Sequence, residues 1–336
     1  MLDLEVSMSK VLPRRIKHPT GELGVEIEWE GRLNPWSSEI SIYWDNKEDG
    51  SLRNGREYVL KKPLTMSEFP SAVDELRKLS KGSKAIYSNR TSVHIHFNIS
   101  NYKLYQVLNI LTFNYIVERM LIASQGPDRR GNLFCLGIHD AESILDSIDF
   151  SLRHEGYLVD FSQDHSKYSA LNLSAISMYG SVEWRFLRGM TDLDEIQDWC
   201  LALGRAATIA ADSLSPMNIL NLYRYSDSED FLKTFFEPKF LSKYIFSSVP
   251  NWRDLLKDNF SYAYELVKII NTIKTTPNYM KPYIKAQDED LDPGDDTRPK
   301  INTLSLKPKP SYIIDELAQI EVTADTFAED PEPTNW

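Results

Sequence analysis

The stretch Gly24-Val25-Glu26-Ile27-Glu28-Trp29-Glu30 decides how this sequence reads. Successive side chains of an extended chain alternate between faces, so Leu23, Val25, Ile27 and Trp29 share one face and Gly24, Glu26, Glu28 and Glu30 the other. One strand with an apolar side and an acidic side is expected. Carboxylates fixed side by side repel each other unless a cation lies between them. Hard cations such as Mg2+ or Mn2+ take oxygen ligands of this kind. A solvated strand face carrying several glutamates is the plainer reading of this stretch alone.

The same period-two pattern returns twice. Thr91 to Ile99 alternates so that His94 and His96 share one face, and Ser181 to Leu187 does so with Glu183 and Arg185. Each has a bland explanation, a hydrogen-bonded histidine pair in the first case and a cross-strand ion pair in the second. Their order along the chain is more telling than any one of them. Three strands each place ionisable groups at i and i+2 and fill the alternate positions with apolar residues.

Further strands are expected near Ile40–Trp44, Glu57–Leu60 and Leu171–Ser174, with turn chemistry from Asp45 to Ser51 and around Tyr179-Gly180. Thr65 and Glu68 have the spacing of a capping box ahead of a helix of about 14 residues. The spacing of Leu104, Val107, Leu108, Leu111, Tyr115, Met120 and Leu121 predicts a core helix over Lys103–Ser124. Residues 126–132 read as a loop, and Glu142–Phe150 as a short helix. Asp192 caps a long helix towards Leu214, and the pattern stays helical to about Lys274.

With 336 residues, 42% hydrophobic and 26% charged, the chain can bury one large core. No window approaches the roughly 18 uninterrupted apolar residues of a membrane span, and no signal core opens the sequence, so a soluble cytoplasmic protein is expected. A net charge of -11 argues against nucleic-acid binding, which calls for clustered Lys and Arg. Cys135 and Cys200 stand alone, so neither a disulfide framework nor a thiolate metal cage is indicated. Three regions result: an N-terminal arm (1–22), a main domain (23–276), and an acidic, proline-containing linker and tail (277–336) suited to a protein partner.

Gly24-Val-Glu-Ile-Glu, His94-Ile-His and Glu183-Trp-Arg, in that order, resemble the amidoligases related to glutamine synthetase and glutamate-cysteine ligase. Asp49-Gly50-Ser51-Leu52 with Glu57-Tyr58-Val59 and Pro63 is similar to another segment of that family, and Lys167-Tyr168 through Leu171-Asn172 to its Arg-Tyr-x-x-Leu-Asn motif, with Lys in place of Arg. The resemblance runs from about Leu23 to about Gly189. It implies an α+β fold: a curved antiparallel sheet of the glutamine-synthetase-like catalytic type, helices on its convex face, and a mostly helical C-terminal region. It also implies an ATP-dependent ligase that joins a carboxylate (amino acid, peptide or protein side chain) to an amine through an acyl phosphate, with ATP and Mg2+ or Mn2+. Such ligases occur in bacteria and bacteriophages.

Carried over residue by residue, Glu26, His94 and Glu183 match the ligands of one metal and Glu28 with Glu57 those of another. His96, Lys167, Tyr168 and Asn172 would lie beside the nucleotide, Arg185, Arg188 and Arg130 would bind phosphoryl or carboxylate oxygens, and Asp49 would orient or deprotonate the amine. The sequence shows no counterpart of the second acid that glutamine synthetase has near the one matched by Glu57. Two other readings fit part of the pattern: a non-catalytic module retaining the fold, and a metal-dependent hydrolase using the His and Glu cluster.

Overall fold

Seven strands form one sheet in this computed structural model, which describes residues 3–13, 16, 20–141, 143–154, 158 and 167–275. The acidic linker and tail lie outside the described residues, as do parts of the N-terminal arm and Glu142. The strands are β1 (Leu23–Arg32), β2 (Trp44–Lys47), β3 (Gly55–Leu60), β4 (Lys84–Ile86), β5 (Ser92–Asn98), β6 (Leu171–Asn172) and β7 (Ser181–Arg188). Their order is β2-β3-β1-β5-β7-β6, with β4 pairing the far end of β1, and every ladder is antiparallel.

Register fixes the two faces. Glu28 pairs with Glu57, Glu26 with His94, His96 with Glu183 and Glu183 with Asn172, so the polar residues of five strands fall on one side. Gly24 stands opposite His96, where a Cβ would lie 3.2 Å from the histidine's own. Val25, Ile27, Trp29, Tyr58, Val93, Ile95, Phe97, Val182 and Trp184 are buried on the opposite side. Burying each large apolar side chain contributes roughly 1.5–3 kcal/mol, so a one-residue slip, which would exchange the faces, is strongly opposed.

The helices are α1 (Met8–Val11), α2 (Phe69–Leu79), α3 (Leu104–Ser124), α4 (Ser143–His154), α5 (Ser174–Tyr179), α6 (Leu193–Ala211), α7 (Pro216–Tyr225), α8 (Ser228–Phe235), α9 (Pro238–Phe240) and α10 (Trp252–Thr275), with a π-helix at Leu241–Phe246. Helices, α3 and α6 foremost, cover the apolar face, and most of the others pack on these or on one another. α3 and α6 rest on β1, β5 and β7, and α10 packs along α3. α3 is long and apolar enough to cross a membrane by length and composition, yet it is buried almost throughout as the central core helix. Trp184 Nε1 donates to Asn114 Oδ1 on α3 at 2.9 Å, and Asn114 Nδ2 donates to Glu118 Oε1 at 3.1 Å, so a buried polar chain ties sheet to helix. The described part of the N-terminal arm is docked: Met8 is fully buried, and its N–H donates to Tyr102 O at 2.8 Å.

Several elements differ from the sequence reading. The strand expected at Ile40–Trp44 begins only at Trp44, because Ser37 and Ser41 hydroxyls accept from nearby backbone N–H groups and hold residues 37–43 in turns. β4 has no sequence signal in the alternation. The link between β6 and β7 contains α5, ended by Gly180 at φ +72°, and is no simple turn. Thr65 and Glu68 do exchange the reciprocal hydrogen bonds of a capping box, but α2 spans 11 residues.

The loop before β2 is pinned by one carboxylate. Glu75 on α2 accepts from Ser41 Oγ at 2.6 Å, Ile42 N at 2.9 Å and Tyr43 N at 3.0 Å. Burial raises its pKa, but these bonds and Lys61 outweigh burial and hold the carboxyl below its ordinary range. Glu75→Ala is expected to cost about 2 kcal/mol in urea unfolding, the scale of hydrogen bonds to a charged group, while leaving divalent-cation binding at the acidic face unchanged.

Candidate metal and anion site

Four strands, β1, β3, β5 and β7, and four connecting segments line a cavity of about 530 Å³ on the polar face. Glu26, Glu28, Asp49, Glu57, Arg90, Arg129, Lys167 and Arg185 line it, together with Ser92, His94, Phe134 and Tyr168. The size suits a ligand of nucleotide or drug dimensions. Four carboxylates and four cationic side chains thus share one space.

The acids form two groups. In the first, ligand atoms of Glu26, His94 and Glu183 lie within 4.8 Å of one another, and in the second those of Glu28, Asp49 and Glu57 do. His94 Nδ1 is 3.0 Å from Glu26 Oε2 and 3.5 Å from Glu183 Oε1. Asn172 Nδ2 donates to Glu183 Oε2 at 2.6 Å and Arg185 Nη1 to Glu183 Oε1 at 2.6 Å, which fixes that carboxylate from both sides. His96 Nδ1 meets Ser181 Oγ at 3.0 Å, while its Nε2 stands 3.5 Å from Glu26 Oε1 without a hydrogen bond.

Electrostatics separates the two groups. Burial raises Glu26 and Glu183, but His94 and His96, with Arg185 at Glu183, overcome it and hold both below the usual carboxylate range. Glu57 is pushed up to about 7, by burial first and then by the charges of Glu26, Glu28 and Asp49. Crowded carboxylates of this kind are what a bound dication relieves. The first group offers one imidazole and two carboxylates, the second only carboxylates, and both donor sets suit divalent cations. An anionic ligand also has donors to meet, since Arg90, Arg129, Lys167 and Arg185 line the cavity.

Most residues picked from the sequence converge here. Glu26, Glu28, Glu57, His94 and Glu183 share the acidic face with His96, Arg185, Asn172 and Asp49. Tyr168 lies edge-on to Phe134 at 5.9 Å, with Lys167 Nζ 5.8 Å from the Tyr168 ring centre. Two arginines do not line the cavity. A bulge in the β5–β7 ladder lets both Phe186 and Leu187 enter the core and brings Arg188 opposite Ser92 at the strand end. There Arg188 pairs with Glu195 at 2.9 Å and lies over Tyr87. Arg130 lines a separate cavity of about 230 Å³ with Arg119, His139 and Asp140.

Arg129, its neighbour, is the one turned inward, buried and donating to Thr91 O at 3.1 Å and Leu187 O at 2.6 Å. Sequence reasoning also missed Arg90, Ser92 and Phe134. The only signal for Arg129 was the adjacent Arg129-Arg130 pair, which does not say which side chain points in. A third cavity, about 440 Å³ beside α6 and the π-helix, has Arg205 paired with Glu237 and Lys243 and Tyr244 on Asp198.

No curated protein matches the chain. Among solved structures it is similar to a bifunctional glutathione synthetase from Pasteurella multocida, at 10% identity and a TM-score of 0.31, over 76% of this chain and 49% of that one. The chain spans about half the length of that protein, and a likeness of this degree bears on neither fold nor function. The family model described as "Putative amidoligase enzyme" matches residues 60–203, a span that holds His94, His96, Asn172, Glu183 and Arg185, with Glu26, Glu28, Asp49 and Glu57 preceding it. That match bears out the amidoligase resemblance read from the sequence, and it supports a ligase-type function for this chain.

Proposed function

We propose that this chain is a cytoplasmic ATP-dependent carboxylate-amine ligase, its catalytic domain spanning residues 23–276 and its acidic face the concave face of a glutamine-synthetase-like sheet. One observation carries the reading: two clusters of metal-ligating side chains and four cationic side chains occupy one cavity. Carboxylates alone would call only for cations. The arginines and lysine beside them call for a ligand that is itself anionic, as a nucleoside triphosphate and a carboxylate substrate are.

Glu26, His94 and Glu183 would hold one dication and Glu28, Asp49 and Glu57 a second. Asp49 then supplies the acid for which the sequence shows no counterpart, and its place beside Glu28 and Glu57 favours a ligand's role over that of an amine base. When bound, the two ions neutralise charge on the triphosphate and on the transferred phosphoryl group. Arg185, anchored through one Nη to Glu183, lines the cavity and would bind a phosphoryl or carboxylate oxygen, and His96 on the same face would serve the phosphates. Arg90, Arg129 and Lys167 add positive charge, and Tyr168 with Phe134 offers ring surface to the base.

The substrate carboxylate attacks the γ-phosphorus, releasing ADP and leaving an acyl phosphate. A neutral amine then attacks the acyl carbon, and phosphate departs as the amide forms and the nitrogen gives up its proton. ADP and phosphate release, measured with panels of amino acids and amines, is expected to require ATP, a divalent cation and both organic substrates, and to stop on addition of EDTA. Turnover of a substrate without ATP would replace this reading with a metal hydrolase. Failure to bind both Mg2+ and a nonhydrolysable ATP analogue would replace it with a scaffold.

A further inference from the structure

Ser92, at the start of β5, stands between the two clusters and belongs to neither. Its backbone N–H and its hydroxyl each donate to Glu28 Oε2 at 2.7 Å, and its Oγ lies 2.7 Å from His94 Nε2. A hydroxyl has one proton to give. With that proton on the Glu28 carboxylate, the contact to His94 is made by the Nε2–H donating to Ser92 Oγ. Nδ1, the atom hydrogen-bonded to Glu26 at 3.0 Å and 3.5 Å from Glu183, is then the one that gives up its proton when a cation enters, while Nε2 keeps its own on Ser92. That Nε2–H tautomer is the one a cation of the first cluster needs.

The same hydroxyl acts on the second cluster. Both Ser92 bonds fall on Oε2 of Glu28, leaving Oε1 for a cation shared with Asp49 and Glu57. Ser92 is itself buried, 7% exposed, so water does not readily stand in for its hydroxyl. We propose that Ser92 is a positioning residue that couples the two cation sites, setting the tautomer of His94 for one and the orientation of Glu28 for the other through a single His94–Ser92–Glu28 relay. This rests on the two-cation reading of the cavity. Groups that orient metal ligands without touching the metal typically change affinity by about 10–100-fold.

The test is titration of the full chain with Mn2+ alone, reading free ion by electron paramagnetic resonance. Asp49→Asn leaves the first cluster for measurement and Glu183→Gln leaves the second. Adding Ser92→Ala is expected to weaken Mn2+ binding about tenfold or more in both backgrounds. Ser92→Thr, which keeps the hydroxyl on a strand-compatible side chain, should bind close to the parent in both. The coupling role is overturned if Ser92→Ala weakens only one cluster, if it weakens neither, or if Ser92→Thr behaves as Ser92→Ala. A parent that binds Mn2+ while Ser92→Ala matches it removes the relay alone. A parent that binds no Mn2+ removes the two-cation reading and the relay with it.

Discussion

Glu183→Gln is expected to lower the rate of ATP-dependent phosphate release by about a thousandfold, equivalent to about 4 kcal/mol of lost transition-state stabilisation. The residue meets the first cluster through Oε1, which also accepts from Arg185, and Asn172 holds Oε2. Glutamine has the same shape, but it removes the negative charge and turns an amide N–H2 towards either Asn172 or Arg185, both of which are donors there. The cation and the arginine thus lose their shared anchor in one change. Mn2+ titration should show one binding site fewer. An ordinary cross-strand ion pair predicts another outcome, lower thermal stability with phosphate release intact. Seeing that outcome would leave Glu183 without a part in the chemistry.

The faces of β1, β5 and β7 were legible in the sequence because alternation is local: once a residue lies in a strand, its neighbours two places away share its side. Alternation puts Glu26, His94 and Glu183 on polar strand faces, the family resemblance groups them as ligands, and the ladders pair Glu26 with His94 and Glu183 with His96. Long-range placement was not legible. Asp49 comes from a loop, and only the fold brings its carboxylate to Glu28 and Glu57. Arg129 and Arg130 are chemically alike, and the backbone carbonyls of Thr91 and Leu187 decide which of them turns inward. Arg188 stays off the cavity because it sits at the strand end, where Glu195 and Tyr87 hold it, a long-range pairing that no local residue pattern announces. The strand expected at Ile40–Trp44 failed through serine hydroxyls that capture the backbone locally, a competition apolar alternation does not report.

Stability should fall as pH rises from about 4.5 to about 7, and Glu118 on the core helix is the cause to test. It is 2% exposed, accepts from Ile138 N and Asn114 Nδ2, and lies under the polar chain that begins at Trp184. Burial is the largest influence and raises its pKa; the two hydrogen bonds pull the other way, the charge of Asp140 adds to the rise, and the carboxyl reaches about 7 against an ordinary 4.5. Over that window the folded chain holds a proton that the unfolded chain releases, so stability declines with pH. The contribution is fully present below pH 4.5 and lost above 7. At about 1.4 kcal/mol per pH unit, the difference amounts to about 3 kcal/mol. Glu118→Gln cannot ionise, although its amide adds a pH-independent cost beside the Asn114 donor. The measurement is therefore the gap in unfolding free energy between variant and parent, followed by urea titration across pH. The gap should move about 3 kcal/mol in the variant's favour between pH 4.5 and 7.5. A gap that stays constant would mean that Glu118 ionises as easily in the core as in water, which its burial opposes.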